Sequence, residues 1–148
     1  DIKKNLNINI TPKNENEIIL IYKTSSLFML SFIIGGIFSN NDKINYENFK
    51  NMGLNLGIIF QIMDDFCDIE EDKKQKTYNF IIANGYFNSL TIYIKKRSIL
   101  IALLRKENIL TNEIRELIKT IDSKLLNKIK NDNNYEKYQN LIKIIEKI

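Results

Sequence analysis

"GLNLGIIFQIMDDFCD", residues 53–68, is the stretch whose reading decides the fold of this chain. From Gly53 to Met63 it is apolar or small apart from Asn55 and Gln61, and it closes on Asp64, Asp65 and Asp68. On a helix, side chains three and four apart share a face. Gly57, Gln61, Asp64 and Asp68 then form one stripe, with Asp65 about 100° round from Asp64. Gly57 lets another helix or a ligand come close to the backbone. Leu54, Leu56, Ile58, Ile59, Phe60, Ile62 and Met63 make the rest of the helix apolar. The carboxylates therefore end a core helix, not a polar one.

Carboxylates crowded in this way repel, and some take up protons unless a cation sits between them. A buried, unpaired carboxylate costs several kcal/mol. Basic partners relieve this, and so does a hard divalent cation, for which carboxylate oxygens are natural ligands. Mg2+ keeps several waters and shares its remaining positions with substrate phosphates, so a DDxxD on a helix wall is a suitable cradle. The plainer alternative is a solvent-facing acidic patch, since Glu70, Glu71 and Asp72 follow at once. The apolar run before the aspartates argues against it.

Composition narrows the remaining classes. A chain of 148 residues with 44% hydrophobic and 27% charged residues is ordinary for one soluble globular domain. One proline, Pro12, and five glycines favour an all-helical chain. The net charge of +4 is spread along the sequence. Lys95-Lys96-Arg97 is the one basic cluster uninterrupted by acid, and it reads as a solvated helix face. A nucleic-acid footprint needs a denser stripe with interleaved aromatics, so no nucleic-acid partner is expected. The absence of histidine excludes imidazole metal sites, Ser–His and Cys–His dyads. The single Cys67 excludes an intrachain disulfide and a multi-cysteine zinc site. It reads as packing and suits a reducing, cytoplasmic setting.

Residues 1–16, polar and asparagine-rich, read as a loop or a connection to something further. Two apolar runs follow, Glu17–Phe38 and residues 46–69, and both read as helices buried nearly all round. "EEDKKQK" reads as a charged turn or loop, and "TYNFIIAN" as a short element ended by Gly85. Helical patterns cover 86–106, 111–130 and 134–148. Thr111 is a candidate N-cap with Glu113 in the first turn, and Ile114, Leu117, Ile118, Ile121 and Leu125 recur at helical spacing. Glu17–Phe38 also meets the roughly 20-residue length of a bilayer span, with Lys23 placed to snorkel. Ser25, Ser26, Ser31 and the lack of a basic flank argue against that small helical membrane protein.

The residues resemble those of the trans-isoprenyl diphosphate synthases, or polyprenyl synthetases. The second aspartate-rich motif of that family, G-x-x-L-G-x-x-F-Q-x-x-D-D-x-x-D, is matched at Gly53, Leu56, Gly57, Phe60, Gln61, Asp64, Asp65 and Asp68. "YKTSSLFMLSFIIGGIF" (22–38) resembles the family's Lys-Thr helix, with Gly35 at its later glycine. The resemblance spans the chain in outline and residues 22–72 in specific positions. It implies an all-α isoprenoid-synthase bundle without a membrane span. In such a bundle an allylic diphosphate ionises with the help of Mg2+, and its carbocation alkylates isopentenyl diphosphate. It further implies that Asp64, Asp65 and Asp68 hold the Mg2+. Lys23 and Thr24 meet the allylic diphosphate, and Phe60 and Gln61 line the cavity near the developing cation. Lys23, Thr24, Gln61 and Asp64 become the expected catalytic residues. Lys74 and Lys76 are expected to bind diphosphate, alongside Lys73, where the family carries a Gly-Lys pair that this chain lacks.

The family's first aspartate-rich motif, followed by an arginine pair, belongs well upstream of the Lys-Thr segment, and nothing before Lys23 supplies it. The start at Asp1 rather than Met points the same way. The expectation is that residues 1–148 are the C-terminal part of one domain, incomplete at the N-terminus. It would work as a homodimer, or as a heteromer with a subunit carrying the first motif. A non-catalytic or regulatory subunit of a heteromeric synthase is the alternative. A terpene cyclase relative is the remaining one, although the second metal motif usual there is absent. The isolated chain is expected not to turn over allylic substrate. Loss of diphosphate affinity on Lys76→Ala but not on Lys73→Ala would identify the lysine after the motif that binds it.

Overall fold

The computed structural model describes residues 24–39, 45–131 and 135–146, and every regular element among them is helical. Helix α1 is Ser26–Phe38, α2 Tyr46–Cys67, α3 Ile69–Gln75, α4 Phe80–Asn84, α5 Tyr86–Lys106 and α6 Asn112–Lys130. A 3-10 turn, Tyr135–Tyr138, leads into α7, Gln139–Glu146. Residues 1–16 and Lys23, singled out above, lie outside the described residues.

Local chemistry sets most of these boundaries. The extended Asn45 accepts a hydrogen bond from Asn48 N–H and opens α2, and Thr111 does the same for α6 through Ile114 N–H. Gly85, at φ 78°, ends α4, a conformation open to a residue without Cβ. Residues 70–76, expected as a loop, lie almost entirely in helix α3. Glu70, Glu71 and Asp72 fill its first turn and Lys73 and Lys74 its last, an order that complements the helix dipole. Lys76, left-handed at φ 55°, closes it.

Helix α2 is the axis of the fold, with α1 along one side and α5 and α6 along another. Its Met52, Ile59, Ile62 and Phe66 are buried against Leu90, Tyr93, Leu100 and Leu104 of α5 and Ile118, Ile121, Leu125 and Ile129 of α6. Ile142 and Ile145 of α7 complete this core. Lys128 of α6 donates to the Cys67 carbonyl at the end of α2, 3.0 Å away, where the helix leaves carbonyls unsatisfied.

Helix α1 corrects the expectation of burial nearly all round. Its inner face touches α2 through Phe28 and Phe32. Leu27, Leu30, Ile34, Ile37 and Phe38 are exposed, Phe38 by 82%. The reason is geometric: α1 packs extensively on one helix among the described residues. No helix among those residues is long and apolar enough to cross a membrane.

Arg97 corrects the solvated reading of its basic triplet. It sits on the α5 stripe between Tyr93 and Leu100 and is 3% exposed. Its Nε and Nη2 donate to both oxygens of Asp122 on α6, at 2.6–3.0 Å. Nη2 also reaches the Ile145 carbonyl of α7, at 3.3 Å. Tyr93 donates its hydroxyl to Asp122 at 2.6 Å. One buried polar network thus pins three helices together.

Three outcomes follow from this packing. A Cβ on Gly53 would stand 2.5 Å from Met29 Cα, whereas one on Gly35 meets nothing within 4 Å. Gly53→Ala is expected to cost about 2 kcal/mol or more in urea unfolding, and Gly35→Ala to add about 0.5–1 kcal/mol. Asp122→Ala, which strands the Arg97 charge, is expected to cost about 3–5 kcal/mol, and Arg97→Met/Asp122→Leu distinctly less. Burial, and then the Asp122 charge, push the Tyr93 phenol well above its usual range. Its contribution is complete below the unfolded tyrosine pKa of about 10 and is lost as pH rises beyond it. Stability should therefore fall above about pH 10, and Tyr93→Phe should flatten that fall.

Candidate functional site

Gly57 lets the site form. A Cβ there would lie 2.4 Å from Ser25 Cα and 2.7 Å from Ser25 Oγ, so only hydrogen leaves room for the buried Ser25. The close approach sets Thr24, at the π-type turn that leads into α1, against Gln61 one turn further along α2. Thr24 Oγ1 donates to Gln61 Oε1. Gln61 Nε2 donates to Asp65 Oδ1 at 2.6 Å, and Phe80 N–H donates to Asp65 Oδ2 at 2.7 Å. A continuous line of hydrogen bonds therefore runs from the Lys-Thr segment through the aspartate motif to the start of α4. It fixes the Gln61 amide, with its NH2 towards Asp65 and its carbonyl oxygen towards Thr24.

The three aspartates have different surroundings. Asp65 is 3% exposed and turned inward. Both its oxygens accept hydrogen bonds, which suits a buried carboxylate. Asp64 is half-buried and Asp68 exposed. The motif does not lie on one continuous helix, because α2 ends at Cys67 and Asp68, at φ −99° and ψ 5°, joins it to α3. Asp68 N–H still donates to the Asp64 carbonyl at 3.0 Å, which preserves the helical register of these two side chains. Among the described residues no three His, Cys, Asp or Glu side chains converge to hold a metal ion by themselves. Two carboxylates at a helix end suit a cation that takes its other ligands from water and phosphate rather than from a protein cage.

Phe60 is half-buried, its ring centre 5.6 Å from that of Phe28 and tilted by 46°. Lys74 and Lys76 are exposed at the end of α3, while Lys73 pairs with Glu70 at 3.1 Å. Cys67 packs its sulfur 3.9 Å from Met63 Sδ, and burial pushes its thiol pKa up.

Sequence reasoning passed over Asn79 and Asp72. Asn79 is buried, and its Nδ2 donates to the Asp65 carbonyl at 2.6 Å and to Asp72 Oδ2 at 2.8 Å. Its Oδ1 accepts from the N–H groups of Ile81 and Ile82 at 2.9 and 3.2 Å. Thr77 Oγ1 donates to Asp72 Oδ1 at 2.5 Å. The segment after α3 is thereby folded back onto the end of α2. The available signal was an asparagine directly before "FIIAN", an N-cap position.

The separation of the aspartates is testable by stability alone. Asp65→Ala strands the buried Phe80 N–H and is expected to cost about 2–3 kcal/mol in urea unfolding. Asp68→Ala, at an exposed position, is expected to stay within about 0.5 kcal/mol.

Comparison with known proteins gives two matches of different reach. The family model described as Polyprenyl synthetase matches residues 1–121. Farnesyl diphosphate synthase of Micrococcus luteus is 39% identical over 57 residues, which is 38% of this chain and 20% of that protein. The match thus covers about a fifth of the relative's length. No solved structure matches the chain.

Proposed function

The chain belongs to the polyprenyl synthetase family, and from that premise we propose that it forms the diphosphate-holding wall of an Mg2+-dependent class I trans-prenyltransferase. The reaction in this reading joins an allylic diphosphate to isopentenyl diphosphate in isoprenoid biosynthesis. One observation carries the reading: the Thr24–Gln61–Asp65 hydrogen-bond line, which brings two segments 37 positions apart into one site.

The proposed roles divide according to burial. Asp64 and Asp68 hold the Mg2+, which supplies positive charge to the pyrophosphate as it departs. Asp65 belongs to the same motif but acts from inside, orienting Gln61 and anchoring α4. Thr24, with Lys23 beside it in sequence, meets the diphosphate by turning its one hydroxyl hydrogen from Gln61 Oε1 to the ligand, which frees that carbonyl oxygen. Lys74 and Lys76 add positive charge from the end of α3. Gln61, held by Asp65, presents a carbonyl oxygen rather than an N–H group, the right sign for a developing carbocation. The Phe60 ring offers its face to the same cation. The complementary aspartate-rich motif comes from a further segment or subunit, in a homodimer or heteromer. With its lone cysteine, such an enzyme suits the cytoplasm.

Calorimetric titration of the full chain with geranyl diphosphate, with and without Mg2+, tests this reading. Binding is expected to require Mg2+ and to weaken at least tenfold in Asp64→Asn/Asp68→Asn, with Thr24→Val weakening it by a smaller factor. Binding that is indifferent to Mg2+, or unchanged in the double variant, would sink it.

A further inference from the structure

Helix α2 ends inside the aspartate motif, and a side chain from far along the sequence meets that end. Lys128 Nζ of α6 donates to the Cys67 carbonyl at 3.0 Å, across 61 positions. Cys67 stands directly before Asp68, and the Asp68 N–H is tied back to the Asp64 carbonyl. The ammonium is therefore held against the backbone that carries both outer carboxylates. Lys124 lies one turn before Lys128, so the two share a face of α6. Both charges reach the Cys67 thiol, as do those of Asp64 and Asp68. The buried Ile121, Leu125 and Ile129 pack α6 into the same core as α2, which fixes the register of the lysines on this helix end.

The charges of Lys124 and Lys128 are not spent elsewhere. Among the described residues neither forms an ion pair, whereas Lys119 and Lys130 of the same helix pair with Glu116 and Glu146 at 2.7 and 2.8 Å. A lysine at a helix C-terminus stabilises the last carbonyls and complements the dipole. Its position here has a second consequence. An ammonium beside two carboxylates repels a bare divalent cation, but it attracts the same cation once a diphosphate has made the complex negative. Loss of a cap weakens both ligands alike; loss of a charge moves them in opposite directions.

We propose that Lys128, with Lys124 behind it, makes the aspartate site selective for a divalent cation that arrives with its diphosphate over the bare cation. The inference rests on the reading of Asp64 and Asp68 as the metal ligands. Lys128 is a positioning residue in this scheme: it acts through the helix end and its field, without touching the reacting atoms.

Two affinities test this in the full chain at low ionic strength. One is that of Mn2+ alone, read from the spin-resonance signal of free Mn2+. The other is that of inorganic pyrophosphate in the presence of Mg2+, read by calorimetry. Lys128→Met keeps the alkyl stem and removes the charge at an exposed position, so the fold should persist. It is expected to bind Mn2+ about threefold or more tightly, and pyrophosphate with Mg2+ about threefold or more weakly. Lys128→Arg should restore both affinities, and both differences should shrink as salt is raised. Lys119→Met, an equal loss of charge about 13 Å along the same helix, should shift neither. Weaker binding of both ligands by Lys128→Met would reduce Lys128 to a helix cap and overturn the proposal. So would Lys128→Arg behaving like Lys128→Met. A wild-type chain that binds no pyrophosphate with Mg2+ would overturn the aspartate site and this inference together. A wild-type chain that binds it, with both affinities unmoved in Lys128→Met, would overturn this inference alone.

Discussion

A hydrogen atom in place of a side chain at Gly57 is the constraint on which the site depends. It admits the backbone of Ser25, with Gly53 admitting Met29 one turn away, so α1 lies against α2 at backbone distance. Only at that separation does the short Thr24 hydroxyl reach Gln61. Gln61 in turn is aligned by Asp65, and Asp65 is held by the first N–H of α4. A requirement for close packing thus becomes a requirement on chemistry. The polar groups are ordered by the same contact that buries the apolar ones.

Within that arrangement the aspartate motif splits into two kinds of carboxylate. Asp65 is buried, and Gln61 Nε2 and Phe80 N–H donate to its two oxygens there. Asp64 and Asp68 remain on the outer side of the break between α2 and α3, where water and an anionic ligand have access. Such a division eases the electrostatic problem of three crowded carboxylates, because one of them already accepts hydrogen bonds from the protein on both oxygens. The neighbouring Asp72 and Asn79 extend the same principle, tying the following segment to the helix end through buried hydrogen bonds.

Much of this was legible in the residue pattern. The apolar α2 with its terminal aspartates, the α5 and α6 spans, the Thr111 cap and the Gly85 stop all rest on local signals, and all appear. The features that the pattern did not reveal share a physical cause. Asp64 and Asp65 look alike in sequence; what distinguishes them is a backbone N–H 15 residues later, which no local pattern reveals. Arg97 reads as part of a basic triplet until its place on the Tyr93–Leu100 stripe is noticed, and its partner Asp122 lies 25 residues away. The bare outer face of α1 depends on which neighbours are present, not on α1 itself. By contrast, α3 was within reach, since its acids precede its lysines in the order that a helix dipole favours.

The account stands most directly on where a divalent cation sits. Mn2+ in place of Mg2+, added with inorganic pyrophosphate to the 15N-labelled full chain, broadens the NMR signals of nearby nuclei. The predicted result is broadening centred on Asp64, Asp68 and Thr24, abolished in Asp64→Asn/Asp68→Asn. Broadening centred on Glu113, Glu116 and Glu136, or undiminished in the double variant, would contradict the claim that the outer carboxylates of this motif form a metal–diphosphate site.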